Sequence, residues 1–371
     1  MKLAFVGCGF VAPLYFQSLS RHPELSLAGV FDLDSRRSKI FAERSSSRQF
    51  DSFEQLLNDK DVDAVVNLTN PESHTEVISK SLEAGKHVYT EKPLTLCFKE
   101  ARELVQISKQ KNLQLCTAPT TLLFESAQTL WRALRENKIG EPRLALAEIH
   151  DGFFVKKRFR RWKNAFGIPW PYLDEFNLGC TLEHNAYFTS WLTAFWGPAV
   201  AVTAFGNNVT PHKGPAGQSD ADDFTVSLIE FSNGAVARLT ASIVAPADRS
   251  LTIIGDEGIL TVQDCWKHQS PVRLKRRFNV RNRLIEQKRG RKIRLVHKTP
   301  TMPRFGDLRI DFAVGIADMA KAIAQNTQPR LNADFSLHNT ELTLVCAGLL
   351  SPGKRHEVET SFDPIPPMTW A

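Results

Sequence analysis

The chain has 371 residues, 42% of them hydrophobic and 23% charged, with a formal net charge of +7. That length and balance suit two globular domains and exclude a disordered or fibrous protein. No run approaches the roughly 20 apolar residues of a membrane-crossing helix, the first apolar run is too short for a signal peptide, and the six cysteines are scattered without disulfide-like or metal-binding spacing. A reduced, cytoplasmic protein without a metal site is the expectation.

The charge is uneven. Between Lys267 and Lys298 thirteen Lys/Arg accompany one acid, Glu286, so that segment carries +12 and the remainder −5.

Taken in chain order, Leu3–Gly7 (LAFVG) is a continuous apolar run, the pattern of a buried parallel strand. A Gly-rich turn follows, then a helix to about Ser20 and a second strand, Leu25–Phe31, ending at Asp32. Asp34-Ser35 has the form of a cap for a charged helix through Arg44. Next come a short helix (SFEQLLND), a strand (DAVVNL), a helix from Pro71 to Gly85, and a strand (HVYTE). A helix from about Thr95 to Lys111 and a strand (LQLCTA) complete the series. This alternation predicts α/β architecture over 1–120, with a doubly wound parallel sheet of Rossmann type.

After Pro119 the pattern changes. A long helix (Leu122–Asn137) precedes the strand-like segments Leu144–His150, Val200–Gly206, Phe224–Phe231 and Ala235–Ile243. Ser232-Asn233-Gly234 marks a hairpin between the last two. Leu251–Ile254 and Ile259–Val262 pair around Gly255–Gly258, and helices are predicted at Leu182–Phe195, Arg309–Asn326 and Leu337–Leu350. Residues 121–371 therefore read as an α+β domain with a mostly antiparallel sheet.

Gly7-Cys8-Gly9-Phe10-Val11-Ala12 fits G-x-G-x-x-G/A between a strand and a helix. Gly7 allows the tight turn, Gly9 lets backbone approach a pyrophosphate, and Ala12 packs the helix closely; Phe10 and Val11 lead into the helix N-terminus that faces the phosphates. Asp32, at the end of the second strand, stands where a ribose 2′-OH acceptor belongs. It would repel a 2′-phosphate, so NAD is the expected cofactor. Arg36 and Arg37 keep NADP as the second option.

Thr90-Glu91-Lys92-Pro93 ends a later strand of the same sheet, where a Lys points at the cofactor crevice. The fingerprint, the stretch NPESHTEVISKSLEAGKHVYTEKPL and the α+β second half together resemble the glucose–fructose oxidoreductase / inositol dehydrogenase (Gfo/Idh/MocA) family over nearly the whole chain. The resemblance implies a catalytic Lys92 that contacts the reacting substrate oxygen. It also implies Glu91 near the nicotinamide ribose, Asn70 and His74 at the cofactor's far edge, and a homo-oligomer formed through the second-domain sheet.

The family's further signature runs roughly Gly, three residues, Asp, three residues, His, with a Gly-Pro some ten positions on. Counted from Gly179 or back from Gly197-Pro198, Glu183 takes the Asp place and Tyr187 the His place, while His184 falls out of register. Tyr187, tuned toward working pH by Lys92, is then the expected acid/base, and Glu183 the acceptor for a neighbouring sugar hydroxyl. His184 either shares the proton relay or packs the helix.

Upstream, RFRRWKNAFGIPWPYLDEF is a substrate loop, with Trp170 stacking and Arg161 meeting an anion, or an aromatic loop packed on the second domain. The basic run 267–298 reads as half-exposed strands with a solvated cationic face, or as contact with an anionic partner such as a diphosphate or a membrane surface. It lacks the aromatic interleaving of a nucleic-acid site, and no nucleic acid is expected. Two function classes follow: an NAD(P)-dependent oxidoreductase acting on a sugar, sugar acid or nucleotide sugar, and a non-catalytic dinucleotide sensor of the same fold.

Overall fold

The computed structural model describes residues 1–210, 213, 219–299 and 310–371. In the N-terminal half, β1 (Lys2–Val6), α1 (Ala12–Leu19), β2 (Ser26–Phe31), α2 (Ser35–Ser45), β3 (Arg48–Gln49), α3 (Phe53–Asn58) and β4 (Ala64–Asn67) come first. α4 (His74–Glu83), β5 (His87–Thr90), α5 (Phe98–Gln110) and β6 (Leu115–Thr117) complete it. The strands are parallel, in the order β3-β2-β1-β4-β5-β6. β1 and β4 are buried almost end to end, which explains why they read as unbroken apolar runs rather than alternating ones. Strand order reverses between β1 and β4, so a crevice opens beyond their carboxyl ends.

Helix starts follow the expected chemistry. Asp34 caps α2 by accepting from the Arg36 N–H, and Ser52 caps α3 by accepting from the Gln55 N–H. α1 has neither a side-chain cap nor an acid in its first turn.

The second half contains α6 (Glu125–Arg135), β7 (Pro142–His150), α7 (Tyr172–His184), α8 (Ala186–Trp196), β8 (Ala199–Asn207), β9 (Phe224–Phe231) and β10 (Val236–Ser242). It continues with β11 (Leu251–Gly255), β12 (Gly258–Val262), β13 (Val272–Val280), β14 (Arg283–Glu286), β15 (Arg291–Lys292), α9 (Val314–Ala324), α10 (Ala333–Cys346) and β16 (His356–Glu357). Among the described residues ten strands form one sheet, ordered β14-β13-β12-β11-β7-β10-β9-β8-β16 with β15 on β13. All its pairs are antiparallel except β7–β10.

Four boundaries differ from expectation, among them the predicted Leu337–Leu350 helix, which runs four residues earlier as α10. The predicted Leu122–Asn137 helix is a 3₁₀ turn, Thr120–Leu123, followed by the shorter α6. The start of the predicted Arg309–Asn326 helix lies outside the described residues, and α9 begins at Val314. The predicted Leu182–Phe195 helix starts ten residues earlier, at Tyr172, and breaks at Gly179 (φ +83°). A Cβ at Gly179 would come within 3.0 Å of the Asp222 carbonyl, so only glycine suits both that conformation and that contact. Beyond the break, Asn185 keeps helical dihedrals, and Glu183 and Tyr187 remain one turn apart on the same face.

The halves are joined by buried polar contacts as well as by packing. Glu125, at the start of α6, accepts from the Thr299 N–H (2.8 Å) and hydroxyl and lies 3.3 Å from His268 Nδ1. His268 Nε2 accepts from the Asp311 N–H (2.8 Å), and the Asp311 carboxylate meets His22 of the Rossmann half (3.0 Å). Burial raises the Glu125 pKa, but these donors outweigh it and hold the group down at about 2.

Candidate active site

A cleft of about 1850 Å³ runs between the halves. Its Rossmann wall is the β1–α1 turn (Gly9, Phe10, Val11), the β4 end (Leu68–Pro71) and Glu91-Lys92 after β5. Its second wall includes Trp170, Glu175, Glu183, His184, Tyr187 and Trp266.

At Gly7 φ is +93°, and a Cβ would meet the Leu68 and Thr69 backbone at 2.7–2.8 Å; glycine alone permits the turn to press on the end of β4. At Gly9 nothing lies within 4 Å of an added Cβ, because that residue faces the open cleft. The uncapped N-terminus of α1 points into the same space. These features fit the diphosphate of a nicotinamide dinucleotide, which needs free N–H groups, close backbone approach and no competing carboxylate. Asp32, just beyond the end of β2, accepts from the Cys8 N–H (2.7 Å) and the Asp34 N–H (2.8 Å), fixing the turn. Arg37 lines the cleft mouth and is held 3.7 Å from Asp34. Asn70 also lines it, donating to Asp174 of the second half (2.7 Å).

His74 is not brought into the cleft. It is fully buried and bridges the Pro93 (2.6 Å) and Thr69 (3.1 Å) carbonyls, tying the two loops that carry Asn70 and Lys92. Burial lowers its pKa, and the neutral ring donates to one of these carbonyls at a time while its other nitrogen only packs against the second. Glu91 is anchored by the Tyr15 hydroxyl (2.6 Å).

Lys92 Nζ meets Glu183 Oε2 at 2.5 Å, across the domain boundary, with both side chains at least 86% buried. Burial alone would lower the Lys92 pKa, but Glu183, then Tyr187 and Glu175, raise it, and the ammonium persists. Burial raises the Glu183 pKa, yet Lys92 and Glu175 bring it below the usual carboxylate range. Glu175, which sequence reasoning did not single out, faces Glu183. Burial and that neighbouring charge push its pKa well up, so it is a neutral acid donating to Glu183. Trp170 Nε1 donates to Glu175 (3.1 Å), so Trp170 positions this carboxyl while its ring packs among Phe154, Phe159, Trp162 and Phe176. The aromatic loop thus packs on itself as well as lining the cleft. Arg161 stands at the cleft edge, exposed.

Tyr187 lies against Trp266 (ring centroids 5.5 Å apart). Here the expectation of a phenol tuned toward neutrality fails. Burial raises its pKa, Lys92 only partly opposes that, and Glu91 and Glu183 add to the rise. The physical reason is that the Lys92 charge is already balanced by Glu183.

His184 is engaged on both ring nitrogens, with Asp151 Oδ2 at 2.9 Å and the Cys180 carbonyl at 3.2 Å. Asp151 also accepts from Arg249 (2.7 Å), whose guanidinium lies 3.8 Å over Trp266. His184, Asp151 and Arg249 therefore form a linked set on the cleft wall that buttresses Trp266, the ring against which Tyr187 rests. Asn164 is another residue missed from sequence. Its amide donates to the Gly9 (3.2 Å) and Phe10 (3.1 Å) carbonyls and accepts from the Phe166 and Ile168 N–H groups, pinning the 152–171 loop over the fingerprint turn.

Comparison with known proteins agrees with this geometry. Residues 1–119 match the oxidoreductase family with an NAD-binding Rossmann fold, and residues 127–261 match the GFO/IDH/MocA C-terminal domain. A Schizosaccharomyces pombe oxidoreductase is 30% identical over 189 residues, 50% of this chain and 48% of that protein. The trans-1,2-dihydrobenzene-1,2-diol dehydrogenase of Oryctolagus cuniculus is 25% identical over 70% of this chain and 75% of its own length. The 1,5-anhydro-D-fructose reductase of Ensifer adhaerens is also 25% identical, over 70% and 74%. Among solved structures, UDP-N-acetylglucosamine 3-dehydrogenase from Acidithiobacillus ferrooxidans superposes with a TM-score of 0.69 (22% identity; 94% of this chain, 96% of that one). A Bordetella pertussis dehydrogenase in complex with NADH and UDP-GlcNAcA gives 0.73 (16%; 97% and 98%). No described helix is long and apolar enough to cross a membrane. With both family domains matched in order along one chain, and the cofactor turn and the Glu91-Lys92-Pro93 element on one cleft, the chain belongs to the GFO/IDH/MocA family of NAD(P)-binding oxidoreductases.

Proposed function

We propose that the chain transfers hydride between a nicotinamide dinucleotide and a carbinol or carbonyl carbon of a sugar, sugar acid or nucleotide sugar. The observation that carries this reading is the buried Lys92–Glu183 pair beside Tyr187, opposite the fingerprint turn. When bound, the dinucleotide supplies or accepts the hydride at its nicotinamide ring. Lys92 donates a hydrogen bond to the reacting substrate oxygen and stabilises negative charge developing there. Tyr187, neutral in the resting protein because burial dominates its pKa, is prepared as a general acid that protonates that oxygen during reduction. Oxidation uses the same groups in reverse, with Lys92 stabilising the phenolate. Glu183 holds Lys92 and accepts from an adjacent substrate hydroxyl. Glu175, kept neutral, ensures that Lys92 faces one negative charge rather than two.

Asp32 accepting from a ribose hydroxyl favours NAD, and Arg37 at the mouth accommodates NADP as the lesser partner. A second copy of the chain covers the outer face of β8 and β9, where Phe205 and Leu228 stand exposed.

The test is nicotinamide absorbance across a panel of sugars, sugar acids and UDP- or GDP-sugars. Turnover of at least one compound is expected. Cofactor binding, detected by energy transfer from tryptophan, with no turnover of any compound would replace this reading with the dinucleotide sensor.

A further inference from the structure

We propose that the β13–β14 hairpin is a membrane-surface contact that seats the protein on an anionic lipid bilayer. The hairpin leaves the edge of the ten-stranded sheet, and β14 is the terminal strand. Its two-residue turn, Arg281-Asn282, has both φ values positive (46° and 64°), the form whose twist suits adjacent antiparallel strands. At its base Val272 and Leu274 are buried, under the layer to which α6 belongs. Alternation along β13 puts Arg276, Phe278 and Val280 on the same face as those two. Phe278 lies directly opposite Ile285, and Val280 opposite Arg283, so Phe278, Val280 and Ile285 share one face.

That face continues the core stripe past the point where the core ends. Phe278, Val280 and Ile285 are 40–46% exposed, and Leu284, on the reverse face, is 66% exposed. Half of the eight residues 278–285 are apolar, at the tip of a segment rich in cations. From Val272 to Lys292 there are ten Lys/Arg and one acid, Glu286, and that acid is paired with Arg277 at 2.8 Å. The cationic surface runs on along the chain into a hollow of about 580 Å³ lined by Arg132, Arg294, His297 and Lys298, which has room for a phosphate-bearing headgroup.

Charge complementarity selects the partner. A two-fold contact with a second copy would set this cationic tip against itself, because an isologous interface pairs a patch with its own image. A nucleic acid would satisfy the cations but not four exposed aliphatic and aromatic side chains, of which only Phe278 can stack on a base. The interface of an anionic bilayer takes both: apolar side chains enter the headgroup–acyl boundary and the surrounding Lys/Arg meet lipid phosphates. One shallow tip gives reversible seating, not a permanent anchor.

Co-sedimentation of the full chain with large vesicles tests this. We expect binding to phosphatidylcholine–phosphatidylglycerol vesicles at least about tenfold above binding to phosphatidylcholine alone, weakening as salt shortens the screening length. Phe278→Ser with Leu284→Ser should lower binding to the mixed vesicles about tenfold while keeping the salt dependence, because only the apolar part is removed. Arg281→Glu with Arg283→Glu should erase the preference for phosphatidylglycerol. Circular dichroism and the melting temperature should match wild type, and Leu284→Ser alone, at the most exposed of the four sites, reports if the double variant misfolds. The proposal is overturned by equal binding to both vesicle types, by no binding at low salt, or by folded tip variants that bind as wild type. A tip-dependent dimer without vesicle binding, or full displacement from vesicles by duplex DNA, also overturns it.

Discussion

Lys92 and the arginines of the β13–β14 hairpin carry the same charge in opposite surroundings. Lys92 is 14% exposed and meets a single carboxylate at 2.5 Å; the neutral Glu175 behind that carboxylate is hydrogen-bonded in turn to Trp170. The hairpin holds six cations and one acid, most of them open to solvent. In the cleft, low dielectric makes each charge costly to leave unpaired, so protonation states are locked and any substitution spreads to its neighbours. On the hairpin, water and salt screen each charge, and individual residues matter little to folding. Cations alone therefore do not mark chemistry; burial with a partner does.

The sharpest break in that comparison is Lys92→Met. It should lower kcat/KM by about 10³-fold or more, through lost stabilisation of the substrate oxygen, and steady-state kinetics under cofactor saturation would show it. Glu183→Gln should follow at about 10²-fold, since Lys92 loses the charge that keeps it protonated against burial. Glu125→Ala tests a buried acid outside the cleft. Its folded pKa of about 2 lies below its unfolded value, so its stabilisation is present above pH 4.5 and lost as pH falls from there through 2. Urea unfolding at neutral pH should show a loss of about 2 kcal/mol, shrinking toward pH 2.

Glu175→Gln acts through pH. The raised Glu175 pKa means the group is neutral at low pH and ionises as pH climbs, placing a second negative charge near Lys92. The alkaline fall in kcat/KM assigned to that step should disappear in the variant. Smallest of all, Arg281→Ala should leave unfolding free energy within about 0.5 kcal/mol of wild type; a larger loss would show that hairpin charges are structural after all.

Much of the Rossmann half was legible because its signals are local: apolar runs for β1 and β4, Asp34 as a cap, Gly7 at a turn no other residue tolerates. The position of Tyr187 was legible from spacing to Gly179 and Gly197, and the structure keeps Glu183 and Tyr187 on one helical face. The electrostatic state of that pair was not. It depends on Glu175, buried by Trp170 and by a helix that begins ten residues before its predicted start. Asn164 reaches Gly9 from 155 residues away, and Asp151 joins His184 to Arg249 from a third segment. No periodicity encodes such pairings; they arise when two sheets close on one cleft. His74 illustrates the converse: a motif position chosen for the cofactor proved to be a fully buried bridge between loops.

The central claim is that Lys92 and Tyr187 perform the proton chemistry while His184 buttresses them. Turnover of one active substrate, measured under cofactor saturation for Tyr187→Phe and His184→Asn side by side, tests it directly. The account predicts a fall of about 10²-fold or more for Tyr187→Phe and a smaller fall for His184→Asn. A near-normal Tyr187→Phe beside an inactive His184→Asn would contradict it.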